Sequence, residues 1–263
     1  MKNILVTGAY GGMGRATVQK LKAQGFRVFA LDKHVGEAEE NVVPIAADVT
    51  DEESVRRAAE TVQAQAGGLF AVIHFAGVYM LDSLVEIPSA EFEKIFEINV
   101  FGAFYVNKAF LPLLGSGSRI IMTTSELAPL DPLPFTGLYA VTKAALDKYA
   151  YSLCMELQLL GISVSVIRAG AVSTGMLGSS TSALDAFCSN TALYTCNAER
   201  FKRIVDGVEA KSVPPEKTAS KTLKILQKRR PAFAYALNRN PLLRLLNVLP
   251  KRLQLFAIRQ VLK

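Results

Sequence analysis

The feature that most constrains the fold is a glycine-rich turn between an apolar run and a helical pattern. The short apolar run spans Lys2 to Val6, and Thr-Gly-Ala-Tyr-Gly-Gly-Met-Gly follows it at residues 7–14. From Arg15 to Gln24 apolar residues recur at helical spacing. Glycines in such a turn let the backbone approach a pyrophosphate, and the start of the following helix favours negative charge. Strand, glycine turn and helix in this order therefore predict a dinucleotide-binding unit.

A second strand pattern, Arg27 to Leu31, ends in Asp32, which lies 18 residues after Gly14. A carboxylate about 20 residues beyond the glycines is placed to bind the hydroxyls of the adenosine ribose. Its charge would repel a ribose phosphate, so Asp32 favours NAD over NADP. The basic residues Arg15, Lys33 and His34 are close enough in sequence to keep NADP open as the alternative.

Strand-like runs alternate along the chain with helical stretches. The runs are Ile4–Val6, Val28–Leu31, Val43–Ala46, Phe70–Phe75, Ile120–Thr124 and Ser163–Ile167. This alternation predicts an α/β fold with a doubly wound parallel sheet and helices on both faces. No linker or repeat divides the 263 residues. We expect one catalytic domain over residues 1–236 and a helical carboxyl-terminal extension over residues 237–263.

The segment Tyr-Ala-Val-Thr-Lys at residues 139–143 places a phenol and an ammonium on one helix face. A free phenol titrates near pH ~10, so using it as a base near neutrality requires lowering its pKa by ~2 to 3 units. A positive charge ~4 Å away supplies roughly the 3 to 4 kcal/mol this requires. The spacing predicts that Lys143 lowers the pKa of Tyr139 and that the pair acts as an acid/base.

These motifs together resemble the short-chain dehydrogenase/reductase family, and in particular its hydroxysteroid and retinol dehydrogenase-like branch. The resemblance runs from Lys2 to about Met176 and implies a Rossmann-type fold. The sequence departs from the family pattern at His74-Phe75, where the family has two asparagines, and at Ala169, where the family has a proline. With two histidines in the chain, His74 is a candidate base, but its place at the end of an apolar strand favours a structural role.

The resemblance also implies roles for individual residues. Tyr139, Lys143, Ser125 and Asn99 would be catalytic, with Ser125 donating to the substrate oxygen and Asn99 holding a proton-relay water. The alternatives for the last two are a strand-ending serine and a backbone-binding asparagine. The expected cofactor-binding residues are Gly8, Tyr10, Gly11, Gly12, Met13, Gly14, Asp32, Asp48, Val49, Ala76, Gly77, Tyr139, Lys143, Gly170, Val172 and Thr174. Among them Asp48 and Val49 would bracket the adenine, and the turn from Arg168 to Thr174 would hold the nicotinamide carboxamide.

A substrate lid is expected at about residues 175–211. It contains Met176, Leu177, Leu184, Phe187, Leu193 and Tyr194, and has no paired basic residues before Arg200. Such a lid suits an apolar substrate, although each of these side chains could equally pack beneath it. We therefore expect oxidation of a secondary or allylic alcohol, or the reverse reduction, on a steroid, retinoid or long-chain hydroxy compound.

Net charge is +7, but its distribution is uneven. From Lys211 to the end there are 13 Lys or Arg and one acid, Glu216, a balance of +12, which leaves −5 for the first 210 residues. Leucine-rich faces edged by arginine and lysine suit helices lying on an anionic membrane surface. The alternative is that this tail caps the substrate cleft or forms a subunit contact in a homo-oligomer. Nucleic acid is disfavoured, because the tail shows little aromatic interleaving.

Two other functions are compatible with the motifs: a 3-oxoacyl reductase of lipid synthesis, and a catalytically silent NAD(H)-binding regulator. Three cysteines, Cys154, Cys188 and Cys196, without metal-ligand spacing predict reduced thiols in a cytoplasmic protein. Pairing of Cys188 with Cys196 is the alternative. The early start of the glycine motif leaves no expectation of a cleaved signal, and no metal site is expected.

Overall fold

The computed structural model describes residues 1–209 and 211–263, without the side chains of residues 176–177, 179–181 and 208–209. Across this part of the chain, seven strands form one parallel sheet in the order β3-β2-β1-β4-β5-β6-β7. The strands are β1 (Asn3–Thr7), β2 (Arg27–Asp32), β3 (Val42–Ala46), β4 (Leu69–His74), β5 (Leu114–Ser125), β6 (Ser163–Ala169) and β7 (Ala234–Leu237). The predicted doubly wound α/β fold is confirmed.

Helices connect the strands and continue after the last one. They are α1 (Gly12–Lys22), α2 (Glu52–Ala66), α3 (Ser89–Phe96), α4 (Gly102–Phe110), α5 (Gly137–Leu157), α6 (Gly175–Asn190), α7 (Thr195–Glu209), α8 (Pro215–Gln227), α9 (Pro241–Val248) and α10 (Lys251–Leu262). A π-helical turn, Glu97–Phe101, joins α3 to α4. Short 3-10 turns cover Leu111–Leu113 and Gln158–Leu160.

Both faces of the sheet are covered, because alternate strand residues point to opposite sides. On one face, Ile4 and Val6 pack with Leu21 of α1 and Leu226 of α8. On the other face, side chains of β1 and β2 pack against α2 and α4, and side chains of β5 pack against α5. These contacts involve Leu5, Phe29, Val62, Val106 and Phe110, and then Ile120, Met122, Leu146 and Ala150. The core thus fixes the carboxyl ends of β1, β4, β5 and β6 along one edge.

Helix boundaries follow local chemistry. The Asp51 carboxylate accepts a hydrogen bond from the backbone of Glu53 and caps the start of α2, and Gly67 ends that helix with a φ of 64°. Prolines stand in the first turn of α8 and α9, where proline has no intrahelical donor to lose. β7 was not predicted from the sequence, because its four residues, Ala-Tyr-Ala-Leu, give too short a pattern.

Candidate active site

A pocket of about 370 Å³ opens at the edge where β4, β5 and β6 end. Four expected site residues contribute to its wall: Ser125 at the end of β5, Tyr139 and Lys143 on α5, and Gly77 after β4. Parallel strands place their carboxyl ends at one edge, which is where ligands bind in open α/β sheets. The topology therefore brings together side chains that are far apart in the sequence.

The glycine turn after β1 folds back on itself more closely than a side chain would allow. Gly8 has a φ of 62°, and a Cβ atom there would lie 2.5 Å from the backbone nitrogen of Ala76. At Gly14 a Cβ would lie 2.0 Å from the carbonyl oxygen of Gly8, and at Gly12 it would lie 2.6 Å from Thr174. Three of the expected cofactor positions are thus glycine because the backbone needs the space, as expected of a phosphate-binding turn.

Asp32 is held at the end of β2 by backbone amides. Its carboxylate accepts hydrogen bonds from the amide of Tyr10 at 3.0 Å and from the amide of Lys33 at 2.8 Å. The Tyr10 ring contacts the core and the Gly36 backbone. Tyr10 therefore contributes to the turn through its backbone, which orients the Asp32 carboxylate beside the glycines.

Asp48 is the next acid along this edge, and it already has a basic partner. Lys33 donates to Asp48 at 2.7 Å, and the amide and hydroxyl of Thr50 also donate to it. These bonds hold the pKa of Asp48 at about 2. Val49 packs against Gly102 at the start of α4. The ion pair draws the Lys33 ammonium toward Asp48, a partner that the sequence did not predict.

The phenol of Tyr139 hydrogen-bonds to the Ser125 hydroxyl. Ser125 is buried, and Tyr139 is half-buried in the pocket wall. Lys143 lies one turn further along α5, with its ammonium 5.6 Å from the centre of the Tyr139 ring. That ammonium donates to the carbonyl of Thr123 at 3.4 Å. The edge of the Tyr79 ring meets the Tyr139 ring, at a centroid distance of 4.5 Å. The structure thus brings the three expected catalytic side chains together in one wall.

The prediction that the pKa of Tyr139 is lowered is wrong for the protein without cofactor or substrate. Burial raises the pKa of the Tyr139 phenol to about 12, although the Ser125 hydrogen bond opposes the change. Burial also lowers the pKa of Lys143 to about 8. Removing water from both groups disfavours the phenolate and the ammonium alike. The helical spacing predicted that Tyr139 and Lys143 share one face of α5, but it carried no information about the desolvation of either group.

Asn99 lies within the π-helical turn, and its side chain binds backbone. Its amide oxygen accepts from the Val78 amide at 2.8 Å, while its amide nitrogen donates to the Val78 carbonyl at 3.0 Å and to Thr142 at 3.1 Å. These bonds fix the segment after β4 against α5. The contacts match the backbone-binding alternative for the Asn99 side chain, and they place it beside Gly77, which Lys143 approaches.

His74 is buried away from the pocket. Its ring bonds to Asn107 at 2.9 Å, and Asn107 donates to the hydroxyl of Tyr149 at 3.1 Å. Burial lowers the pKa of His74 to about 4. A neutral imidazole bonded to an asparagine inside the core matches the structural interpretation of this residue.

Four further expected cofactor residues belong to the same pocket. Met13, Gly170, Val172 and Thr174 all line it. Ala76, just after β4, donates to the Thr7 hydroxyl at 3.3 Å and so ties the ends of β1 and β4 together. Gly11 donates to the carbonyl of Gly8 within the turn.

An ion pair that was not predicted from the sequence holds α5, which carries Tyr139 and Lys143, against the sheet. Arg168 of β6 donates two hydrogen bonds to Asp147 of α5, at 2.7 and 3.0 Å. Thr124 of β5 donates to the same carboxylate at 3.1 Å. Asp147 lies four residues after Lys143, so its spacing along α5 was the available signal. The ion pair ties α5 to β6, and the Thr124 hydrogen bond ties it to β5, which carries Ser125.

The carboxyl-terminal tail closes one side of the same pocket. Leu243 and Leu246 of α9 line it, together with Ile258 and Leu262 of α10. The Asn240 amide donates to Glu126 at 2.6 Å, and the Asp131 amide donates to Asn247 at 2.6 Å. An ion pair joins Lys251 to Asp131. The tail therefore has an inner face that belongs to the cleft.

The expected lid residues take different places. Leu184 and Phe187 of α6 are buried in a cluster with Phe135 and Phe201, and Tyr194 packs against it. Leu193 is exposed, while Met176 and Leu177 have side chains outside the described part of the chain. Among the described lid residues, the pocket is lined by Phe201, Ile204 and Val205 of α7. Leu184 and Phe187 therefore pack within this cluster and do not line the pocket.

Comparisons with known proteins agree with this geometry. The family model for short chain dehydrogenases matches residues 2–185, so the chain belongs to the short-chain dehydrogenase/reductase family. Enzymes of this family are oxidoreductases that act on alcohol and carbonyl groups.

Three similar proteins illustrate the range of relatives. Estradiol 17-beta-dehydrogenase 2 of Mus musculus is 37% identical over 190 residues, which are 68% of this chain and 50% of the relative. The chain thus spans about half the length of that dehydrogenase. The 3-ketodihydrosphingosine reductase of Bacteroides thetaiotaomicron is 27% identical, with 88% of this chain and 85% of the relative covered. An alcohol dehydrogenase of Thermococcus sibiricus, complexed with 5-hydroxy-NADP, matches in fold with a TM-score of 0.75 at 22% identity, over 92% of this chain and 99% of that one.

Proposed function

We propose that this protein is an NAD(P)-dependent oxidoreductase that interconverts a secondary or allylic alcohol and a carbonyl group on a lipophilic substrate. The single observation that carries the proposal is the Ser125–Tyr139–Lys143 wall of a mainly apolar pocket. The comparisons support it with relatives named for a steroid and for a sphingoid compound. A panel of steroids, retinoids and aliphatic secondary alcohols, assayed with NAD and with NADP by the absorbance of the reduced nicotinamide, tests it.

A dinucleotide fits the groups on the glycine edge. The backbone cradle at Gly8, Gly12 and Gly14 leaves no room for side chains, and Asp32 lies at its end. A bound nicotinamide cofactor would supply or accept the hydride. Gly170, Val172 and Thr174 would contact its nicotinamide end, while Lys143 would bind its ribose. Asp48 would contact the adenine while it keeps its ion pair with Lys33.

Tyr139 would move the proton. In the direction of reduction, its neutral phenol, which burial favours, donates a proton to the substrate oxygen. Ser125 donates a hydrogen bond to the same oxygen, where negative charge develops. In oxidation Tyr139 takes the hydroxyl proton instead. Lys143, with a pKa of about 8, can hold or release a proton near neutral pH, and Asn99 fixes the segment beside it and would connect a water to it.

The choice of cofactor follows from the charges on the glycine edge. Asp32 is oriented by two amides toward the cradle, and the pairing of Lys33 with Asp48 removes one cation that could otherwise bind a ribose phosphate. We therefore propose that NAD is preferred. Titration of the protein with NAD and NADP tests this, and tighter binding of NADP would contradict it.

Peripheral membrane contact is proposed for the outer face of the tail, with anionic lipid as its partner. Leu245, Val248, Leu253, Leu255 and Phe256 are exposed there. The exposed cations Arg244, Lys251, Arg252, Arg259 and Lys263 flank them. Apolar and basic groups together suit the interface of an anionic bilayer. No described helix is long and apolar enough to cross a bilayer.

Sedimentation with vesicles tests the membrane proposal. Binding to vesicles that contain anionic lipid should weaken as the salt concentration rises, because the screening length falls below the ~8 Å of physiological ionic strength. Neutral vesicles serve as the control. A protein that stays in the supernatant with anionic vesicles at physiological salt would exclude the proposal and leave the tail as a cleft wall alone.

A homo-oligomer is proposed through the neighbouring faces of α4 and α5. Phe104 of α4 and Val141, Tyr151 and Met155 of α5 are exposed, as is Phe101 just before α4. The ring centroids of Phe104 and Tyr149 are 6.5 Å apart, so the two helices are neighbours at this point. A second copy of the chain would bury this surface. The mass in solution tests it, and Phe104→Glu should lower that mass.

The alternative functions differ in what the pocket must accept. A 3-oxoacyl reductase would have to admit a phosphopantetheine-linked substrate, whereas the described wall residues are mainly apolar and Asp32 disfavours NADP. A regulator that binds NAD(H) without turnover would not need the Ser125–Tyr139–Lys143 arrangement. Turnover of a carrier-linked ketone with NADPH would favour the first alternative, and cofactor binding without any turnover would favour the second.

A further inference from the structure

One charged side chain of the pocket has no part in the proposed chemistry. Glu126 follows Ser125 directly, and its amide donates to the Ala169 carbonyl at 2.9 Å, which ties the segment to the end of β6. Glu126 also lines the pocket. Among the described residues that line this pocket, Glu126 is the one acid and Lys143 the one base. An acid in such a wall needs a physical explanation, because burying charge without a partner costs free energy.

The surroundings of the carboxylate are only partly polar. One of its oxygens accepts the Asn240 amide at 2.6 Å. The other lies beside Gly170, where a Cβ atom would come within 2.8 Å of it. Leu127, Leu243 and Leu246 are nearby members of the pocket wall. Burial raises the pKa of Glu126, and the Asn240 amide and the charge of Arg239 act in the opposite direction.

Anchoring the tail does not by itself call for a negative charge. A glutamine could accept the Asn240 hydrogen bond equally well, since an amide oxygen is also an acceptor. The charge is therefore available for a further partner in the pocket. A cation that enters with an apolar body would meet Glu126 at the wall and the leucines of the tail around it. Charge-assisted hydrogen bonds of this kind are among the stronger polar contacts.

We propose that Glu126 binds a protonated amine on the substrate, close to the carbon that reacts beside Ser125 and Tyr139. This inference rests on the proposed function and narrows its substrate class to long-chain amphiphiles that carry an amine a few atoms from the alcohol or ketone. Ser125 and Glu126 are consecutive, and both line the pocket. The amine and the reacting oxygen would therefore be bound by neighbouring residues of the same pocket.

The decisive experiment compares a long-chain vicinal amino alcohol, its N-acetyl derivative and the alcohol of equal chain length without nitrogen. The parent protein should oxidise the amino alcohol with the highest kcat/KM. Glu126→Gln should lower kcat/KM for the amino alcohol by about 10- to 100-fold, because a hydrogen bond to a charged group is lost. The two neutral substrates should change by less than about threefold, since glutamine keeps the acceptor for Asn240.

Asp131→Asn is the matched control. Asp131 pairs with Lys251 and also holds the tail, but it does not line the pocket. This variant should affect the three substrates equally. Should Glu126→Gln lower turnover of all three alike, or of none, the proposal is overturned and Glu126 is an anchor of the tail.

A binding measurement separates this inference from the proposed function. An n-alkylamine and the n-alkanol of equal length, which differ only in the cationic group, can be titrated by thermal shift. The amine should stabilise the parent more than the alkanol does, and this difference should disappear in Glu126→Gln. If no alcohol is oxidised but the difference persists, the proposed function fails and the amine site stands. If alcohols are oxidised but the difference is absent, the amine site fails alone.

Discussion

Lys143 is a buried ammonium, and this gives the free energy of unfolding a characteristic pH dependence. Its pKa is about 8 in the folded protein, against ~10.4 in an unfolded chain. Between these values the unfolded chain binds more protons, so stability rises with pH. Burial thus makes the charged form of Lys143 a cost to folding at neutral pH.

We expect the parent to gain about 2 kcal/mol of stability relative to Lys143→Met between about pH 7.5 and about pH 9.5. Urea unfolding of both proteins across this range measures the difference, and other titrations cancel in the comparison. Above pH ~10 the raised pKa of Tyr139 acts with the opposite sign, because only the unfolded chain then releases its phenol proton. Parallel stability curves for the two proteins would show that the ammonium is not desolvated.

Tyr139→Phe removes only the ionisable oxygen at the centre of the proposed site. Turnover should fall by ~10² to 10⁴-fold, while cofactor binding stays close to that of the parent. Tyr149→Phe is the control, because Tyr149 accepts a hydrogen bond from Asn107 in a groove away from the pocket. Steady-state kinetics and cofactor titration measure both effects. Turnover in Tyr139→Phe within about tenfold of the parent would remove Tyr139 from the mechanism.

Asp32→Ala addresses the choice of cofactor. Its loss should weaken NAD binding and strengthen NADP binding, because the carboxylate no longer contacts the ribose hydroxyls or repels a ribose phosphate. The ratio of the two dissociation constants is the measurement. Glu39→Ala is a suitable control, since Glu39 is an exposed acid paired with Lys22 rather than with the glycine turn. An unchanged ratio in Asp32→Ala would mean that other groups select the cofactor.

At the scale of elements, Gly170 shows how closely β6, β7 and the tail meet. The Gly170 amide donates to the Leu237 carbonyl at 2.8 Å, and a Cβ at Gly170 would lie 2.0 Å from the Asn238 carbonyl oxygen. Gly170→Ala should therefore displace the start of the tail and lower stability by about 1 to 3 kcal/mol, the range for overpacking. Catalytic efficiency should fall as well, since the pocket wall moves.

Gly178→Ala is the matched control for this substitution. Gly178 lies in α6 with open space around the added methyl group, and alanine is the better helix former by up to about 1 kcal/mol. Urea unfolding and kinetics of the two variants give the comparison. Equal stability of Gly170→Ala and Gly178→Ala would contradict the close approach of the tail to β6.

Sequence reasoning succeeded for elements whose signal is local. The apolar runs predicted β1 to β4 and β6 within two residues, and the glycines predicted the turn before α1. For β5 they predicted the end of the strand, which begins six residues earlier, at Leu114. Sequence reasoning missed β7, because four residues are too few to show a periodic pattern. It also missed the π-helical turn at Glu97–Phe101, because a change in the helical hydrogen-bond spacing leaves no signal in the apolar pattern. The raised pKa of Tyr139 was also out of reach, since desolvation depends on groups that only the tertiary fold brings together.

At the scale of the whole molecule, the tail combines two faces that the sequence could not assign. A leucine-rich helix edged by basic residues has the same pattern whether its leucines meet lipid or a neighbouring helix. The structure places Leu246 in the pocket wall and leaves its neighbour Leu245 exposed. The expectation that the tail caps the cleft and the membrane proposal are therefore compatible.

The neighbours Leu245 and Leu246 allow the two roles to be separated. Leu246→Gln should raise KM for lipophilic substrates about tenfold or more, because it places a polar group in the apolar wall. Leu245→Gln should leave KM unchanged and weaken sedimentation with anionic vesicles. Each variant is the control for the other. A rise in KM for Leu245→Gln in the absence of vesicles would show that the two faces are not independent.

The tail's hold on the site also orders the events of folding. The hydrogen bonds between the tail and Glu126 and Asp131 join residues that are separated in sequence by 114 and 116 positions, respectively. Such non-local contacts form late, because loop closure must precede them. On a ribosome, the strands and α5 can assemble before residues 240–262 are made. The reactive groups would thus assemble first, and the apolar residues of the tail would cover the cleft last. During synthesis the cleft would therefore expose apolar surface that a chaperone could bind.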